Sequence, residues 1–175
     1  MTRYSPAMQA LHWGMAALMF ATLPLAWIMT SLPRKAPDRE FWSTLHKSIG
    51  VTLLVLVAIR LMVRARRPVP AEMPGPGWMR IAARISHWSL YAMLIVMPVS
   101  GYVVSSAGGN AVSYFGLFDL PALAKDQALQ GMARMVHDNA RFAVYGLILL
   151  HISATVWHVV VRRDGILNRQ LPAQR

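Results

Sequence analysis

Four stretches of the chain are apolar for long enough to cross a membrane, and what separates them is short, basic or rich in proline. They cover residues 6–30, 42–63, 78–105 and 132–161. An α-helix rises 1.5 Å per residue, so about 20 residues span a hydrocarbon core ~30 Å thick. Ser5-Pro6 reads as an N-cap followed by proline at the first helical position, and Pro33, Pro37, Pro68, Pro70, Pro74 and Pro76 punctuate the connections. Pro24 and Pro98 fall inside spans, where neighbouring helices re-satisfy the freed backbone groups. The pattern predicts an all-α membrane protein, a four-transmembrane-helix bundle formed as one domain over residues 1–175. The connection over 107–130 is too long for a simple turn. Its Tyr114, Phe115, Leu117 and Phe118 predict a segment lying on the membrane surface, either an interfacial cover or a lid over a binding site.

Composition agrees with a membrane domain: of 175 residues, 55% are hydrophobic and 14% charged, too apolar and too short for an ordinary soluble two-domain protein. The formal charge of +11 does not point to nucleic acid, because the basic residues flank apolar runs instead of forming a basic face with interleaved aromatics. They report orientation. Arg3, then Arg64, Arg66, Arg67, Arg80 and Arg84, then Arg162, Arg163 and Arg169 put the N- and C-termini and the middle connection on the cytoplasmic side. The outer connections dilute Arg34, Lys35, Arg39 and Lys125 with Asp38, Glu40, Asp119 and Asp126. Trp13, Trp42, Trp78 and Trp157 fall at the expected interfaces, as an aromatic belt requires. The first apolar stretch follows Arg3 as a signal sequence would, but it is long and lacks a small-residue cleavage site, so it reads as a retained span. The absence of cysteine excludes disulfides, thiolate metal sites, iron–sulfur ligation and covalent c-type haem attachment, so any haem is held non-covalently.

The stretch "MVHDNARFAVYGLILLHISATVWH" places His137, His151 and His158 in one span. Ionisable side chains inside a bilayer are costly and mark function. His137 and His151 are 14 residues apart, which leaves them within about 40° of one helix face and about 21 Å apart along the axis. One face of one helix can therefore serve two stacked metal centres. His46 lies near the outer end of the second span, at the depth of His137, and His12 near the inner end of the first is the natural partner of His151. Spacing alone also allows His12 with His158, and a role for His87. Zinc and di-iron centres want carboxylates or thiolates, and the spans hold almost none, with Asp138 the nearest. Imidazole pairs at two depths suit haem iron held from both faces.

Gly14, Gly50 and Gly146 offer small side chains where a porphyrin edge would pass, although helix packing in membranes selects the same residues. Arg60 repeats the 14-residue spacing after His46, which turns it to the same face at inner depth. There it either pairs with a haem propionate or snorkels to the interface. Arg141, one turn after His137, and Lys47, beside His46, are the outer counterparts. The 12 methionines are scattered along the spans, as core packing scatters them, not gathered as copper ligands.

"YSPAMQALHW", "LHKSIGVTLLVLVAIRLMVRARRP", "MPVSGY" and "HDNARFAVYGLILLH", on successive spans, resemble the bacterial cytochrome b561 family over nearly the whole chain. The resemblance implies two b-type haems stacked across the bacterial inner membrane, with His46 and His137 as axial ligands outside and His12 and His151 inside. It implies exchange of electrons with ubiquinone or another membrane quinone. Free-standing members look like superoxide:quinone oxidoreductases, enzymes that take electrons from superoxide on the periplasmic side. His158, seven residues after His151, and His87 would then be candidates for the quinone site, by hydrogen-bonding a quinone carbonyl and relaying its proton. The alternative for His158 is an interfacial histidine favoured by a helix C-terminus. Arg34, Lys35, Lys47, Lys125, Arg134 and Arg141 offer an outer surface to an anionic donor. A second function class remains, a membrane anchor and electron conduit for a partner dehydrogenase or hydrogenase. A third, a non-redox transporter or structural bundle, would leave four aligned histidines without a purpose.

The charge pattern makes a topological prediction. An alkaline phosphatase fused after Arg169 should be inactive in cells, and one inserted after Asp119 active; the reverse pattern would overturn the orientation.

Overall fold

A computed structural model describes residues 3–67, 70–71 and 75–172; Pro68 and Pro74 lie outside the described residues. The four expected spans are all helices: α1 (Pro6–Ser31), α2 (Arg39–Arg66), α3 (Gly77–Ser106) and α4 (Gln127–Trp157). Side-chain caps fix where α1 and α4 begin, while α2 and α3 start without one. Ser5 Oγ accepts from the Met8 N–H at 3.4 Å, and Asp126 Oδ1 accepts from Leu129 N–H at 3.0 Å. Asp126 thus starts α4 five residues before the apolar run begins at Met132. α4 continues into a π-helical turn (His158–Arg162), and the chain ends in a 3-10 turn (Leu167–Arg169).

α1 packs along α2 and α3 along α4, and the two hairpins meet where α2 lies against α3; α1 and α4 make no extended backbone contact. The small core of Met15, Leu25, Ile49, Leu53 and Val57 sits between α1 and α2, with Tyr91 and Leu94 of α3 against it. Apolar side chains otherwise face outward. Trp27 is 73% exposed and Leu149 68%, which water would penalise and lipid does not. All four helices are long and apolar enough to span a membrane. The protein is a multi-pass membrane protein.

Both termini lie at one end of the bundle and are tied together. The backbone N–H of Tyr4 donates to Arg169 O at 3.0 Å. Gln9 Nε2 donates to Arg169 O and Leu171 O, and Trp13 Nε1 to Gln170 O at 2.8 Å. Arg169 reaches the other way, to Ala71 O at 2.6 Å, so the tail also holds the middle connection.

The third connection departs from helix. It forms an antiparallel hairpin of β1 (Val112–Tyr114) and β2 (Phe118–Leu120), with Tyr114 opposite Phe118. Phe115 and Gly116 turn it, with φ of 52° and 73°, a left-handed conformation that glycine adopts freely and phenylalanine seldom does. The hairpin docks on α2. The Phe115 N–H donates to Ser48 Oγ at 2.8 Å, and Tyr114 Oη and Thr52 Oγ1 are 3.1 Å apart. Ser48 is nine residues into α2, so the turn reaches about 13 Å below the start of that helix. A turn at that depth must satisfy its own backbone, and Ser48, fully buried, does so. The hydrophobic pattern marks Phe115, Leu117 and Phe118 as membrane-seeking but cannot reveal this strand pairing.

Removing the Ser48 hydroxyl strands the Phe115 N–H, at a cost of about 1–3 kcal/mol. Ser48→Ala should therefore lower the unfolding temperature in detergent by roughly 2–10 °C and speed proteolysis within the 107–126 connection; an unchanged cleavage rate would show that the hairpin is held otherwise.

Candidate metal centres

The two ends of α4 each present an imidazole to a partner across the bundle. His137 faces His46 of α2, with ring centroids 6.5 Å apart and planes 83° apart. His151 faces His12 of α1 at 6.3 Å and 46°. A metal–imidazole bond is about 2.0–2.1 Å and the ring centre lies a further ~1.1 Å behind the nitrogen, so two imidazoles on opposite sides of one metal have centroids roughly 6.3 Å apart. Both pairs match that spacing. Among the described residues no three His, Cys, Asp or Glu side chains gather as an ion site, so a centre here relies on two imidazoles and a metal whose remaining ligands come from elsewhere, as in a porphyrin.

The outer pair is oriented by its surroundings. His137 Nδ1 lies 3.0 Å from Met97 O and 3.1 Å from Ser100 Oγ, both on α3 beside Pro98. His46 Nδ1 lies 3.4 Å from Thr22 O on α1. A carbonyl can only accept, so each Nδ1 carries the proton and each Nε2 keeps the lone pair a metal needs. Backbone acceptors of this kind also fix the ring and raise its basicity as a ligand. Gly101 makes room for the His137 ring: a Cβ there would sit 3.0 Å from His137 Cε1.

The inner pair lacks the carbonyl partners of the outer one among the described residues. His12 Nδ1 is buried and has no hydrogen-bond partner among the described residues. His87 of α3 also approaches His151, with centroids 5.8 Å apart and planes at 69°, so three imidazoles meet at this level. The 5.8 Å separation is short for a metal held between opposite imidazoles, and His12 has the better distance. Arg60 does not snorkel. It is 8% exposed, donates from Nη1 to Met8 O at 2.9 Å and from Nε to Tyr91 Oη at 3.0 Å, and its charge acts on His12, His87 and His151. Arg141 is exposed and stacks over Phe142 at 4.8 Å, with His137 within reach of its charge. Of the glycines expected at a porphyrin edge, Gly14 and Gly146 have open space where a side chain would be, whereas Gly50 packs against Pro98 Cβ and serves the contact of α2 with α3.

At the inner edge, His158 opens the π-turn and its Nδ1 lies 2.5 Å from Asp164 Oδ2. Arg162 Nε is 3.5 Å from the same oxygen. Burial alone would push the Asp164 carboxyl up; hydrogen bonds from His158 and the Ile166 N–H, with the nearby positive charges, outweigh it and hold the carboxyl below its usual range. Sequence reading passed over Asp164, whose only signal is the Asp-Gly dipeptide typical of a turn. It also passed over Gly101 and Ser100, within "MPVSGY", and over Tyr91, one turn after His87 on α3, which was the available signal.

The whole chain has known relatives. A family model described as prokaryotic cytochrome b561 matches residues 3–173. Cytochrome b561 homolog 2 of Escherichia coli (strain K12) is 33% identical over 97% of this chain and 91% of its own length. A protein of Yersinia pestis named probable superoxide oxidase CybB is 28% identical over 99% of this chain and 98% of its own. Cytochrome b561 homolog 1 of Escherichia coli (strain K12) is 23% identical over the full length of both. With four spans, imidazoles paired at two depths and this match from end to end, the chain belongs to the prokaryotic cytochrome b561 family, membrane oxidoreductases that transfer electrons across the bilayer on b-type haem.

Proposed function

We propose that this protein carries electrons from superoxide on the periplasmic side of the inner membrane to quinone near the cytoplasmic side, through two b haems held by His46 with His137 and by His12 with His151. The observation that carries this reading is the pair of facing imidazoles at each of two depths, both built from one helix. When bound, haem supplies one-electron chemistry. The chain supplies position and electrostatics. His46 and His137 keep Nε2 free by donating from Nδ1 to carbonyls. Arg60, a buried guanidinium fixed by Met8 and Tyr91, offers its remaining donors to a propionate and stabilises negative charge arriving at the inner level. Arg141 takes the corresponding part outside.

Superoxide as donor draws support from the name of the Yersinia relative and from charge. The first connection encloses a shallow cavity of about 330 Å³ lined by Arg34, Lys35, Arg39, Glu40 and Ser43. Such a basic rim raises the local concentration of a small anion. Quinone as acceptor draws on His158, seven residues beyond His151 along α4, and on His87, which sits against His151 at the level of the inner pair. In the balanced reaction two superoxide anions give up one electron each and leave as dioxygen, while one quinone takes two electrons and two protons and leaves as quinol.

Reduced-minus-oxidised absorption spectra with haem quantitation should show two low-spin b haems per chain. His46→Ala and His151→Ala should each leave one, and a ratio unchanged by either would refute that ligand assignment. A dehydrogenase or hydrogenase subunit co-purifying with a protein inert toward superoxide would instead identify a membrane anchor.

Steering gives a second outcome. Superoxide oxidation should slow as the Debye length contracts from about 30 Å at 0.01 M to about 10 Å at 0.1 M salt. Arg34→Glu with Lys35→Glu should slow it at low salt by roughly tenfold, and a salt-independent rate would remove the steering role.

A further inference from the structure

The end of α4 is built to bring one carboxylate back onto one histidine. The helix widens into a π-turn at His158–Arg162, a rare geometry that often marks functional positions. Arg163 then reverses the chain in the left-handed region at φ 51°, unusual for a residue with a side chain, and Gly165 follows at φ 73°. Asp164, between them, lands with Oδ2 on His158 Nδ1 at 2.5 Å, six residues back along the chain. Its other oxygen, Oδ1, accepts from the Ile166 N–H at 3.2 Å, so the carboxylate is held at both ends. His158 and Asp164 side chains are 16% and 14% exposed: sheltered, yet not sealed. Arg162 Nε lies 3.5 Å from the same Oδ2.

From this geometry we propose that Asp164 is the positioning residue of a histidine–carboxylate dyad that delivers protons to quinone at the cytoplasmic edge of the inner centre. The inference rests on the quinone reading above. With its proton-bearing Nδ1 on Asp164, the His158 ring is fixed in one tautomer and orientation, and Nε2, which has no hydrogen-bond partner among the described residues, is its exchangeable site. His158 is seven residues from His151, hence about 10 Å further along the axis and within about 20° of the same face. As electrons reach the quinone one at a time, imidazolium Nε2–H gives its proton to a quinone oxygen. The neutral ring stays hydrogen-bonded to Asp164 and regains a proton from water on the cytoplasmic side. Two such cycles supply the two protons of the quinol. The carboxylate stabilises the imidazolium between cycles, the part a buried carboxylate plays behind a general-acid histidine. The low carboxyl pKa fits a group that stays ionised beside its histidine.

The test uses the full-length haem-loaded protein in detergent, with superoxide as donor and a short-chain ubiquinone as acceptor, comparing wild type with Asp164→Asn, Asp164→Ser and Asp164→Glu. Expected for the uncharged variants is a kcat lower by about tenfold to a hundredfold, with KM for the quinone within about twofold and haem content and spectra unchanged. Replacing water by heavy water should slow them more than wild type, because proton delivery now limits the rate. Asp164→Glu should recover part of kcat. A kcat equal to wild type in either uncharged variant overturns the proposal, as does a rise in KM alone, or haem loss in all three variants. A wild-type protein that reduces no quinone overturns the quinone reading and this inference with it, whereas an active wild type with unaffected variants overturns only the dyad.

Discussion

Inside hydrocarbon a polar group has no water to fall back on, and each polar feature of this protein answers to that constraint. The helices close their own backbone bonds. Hydroxyls in the spans turn back on their own helix, as Thr22 does to Leu18 O and Thr155 to His151 O. Where the chain leaves helical geometry at depth, at the hairpin turn, a serine of the neighbouring helix takes the free N–H. Arg60, the most expensive side chain to place there, is bound to a carbonyl and a phenol. Against that background His12 is conspicuous, a buried ring nitrogen without a partner. Among the described residues the other buried side-chain atoms without a partner, Arg169 Nε and Gln170 Oε1, lie in the strap, so within the spans this nitrogen next to a second imidazole stands apart.

The same constraint explains what could be read from the chain. Lipid demands long apolar runs, so all four spans were legible. Helical periodicity brought His137 and His151 to one face of α4, and the equal spacing of His46 and Arg60 brought a histidine and a buried arginine to one face of α2. These regularities follow from a single helix and need no tertiary information.

What was not legible depends on contacts between helices or on irregular backbone. Gly50 and Gly101 look alike in sequence, one placed beside a candidate ligand and the other not. Gly101 turns out to cradle His137, while Gly50 meets Pro98. The strand pairing of residues 112–120 and the return of Asp164 onto His158 each depend on one or two residues at positive φ, Phe115 and Gly116 or Arg163 and Gly165, which leave no periodic trace. Whether Arg60 reaches solvent was open for the same reason, since Met8 and Tyr91 lie on other helices.

The strap formed by residues 169–172 across the start of α1 bears on how such a protein is made. Translation proceeds from the N-terminus, so α1 and His12 enter the membrane long before Arg169 and Gln170 exist. Until residues 169–171 leave the ribosome, Gln9 and Trp13 lack the acceptors that later close the inner end. The nascent chain therefore passes through a stage in which α1 and α2 are inserted and their histidines face no partner, since both partners stand on α4. Closure of the inner end therefore waits on synthesis of α4 and the strap, and a chain interrupted before α4 is left with single imidazoles instead of opposed pairs.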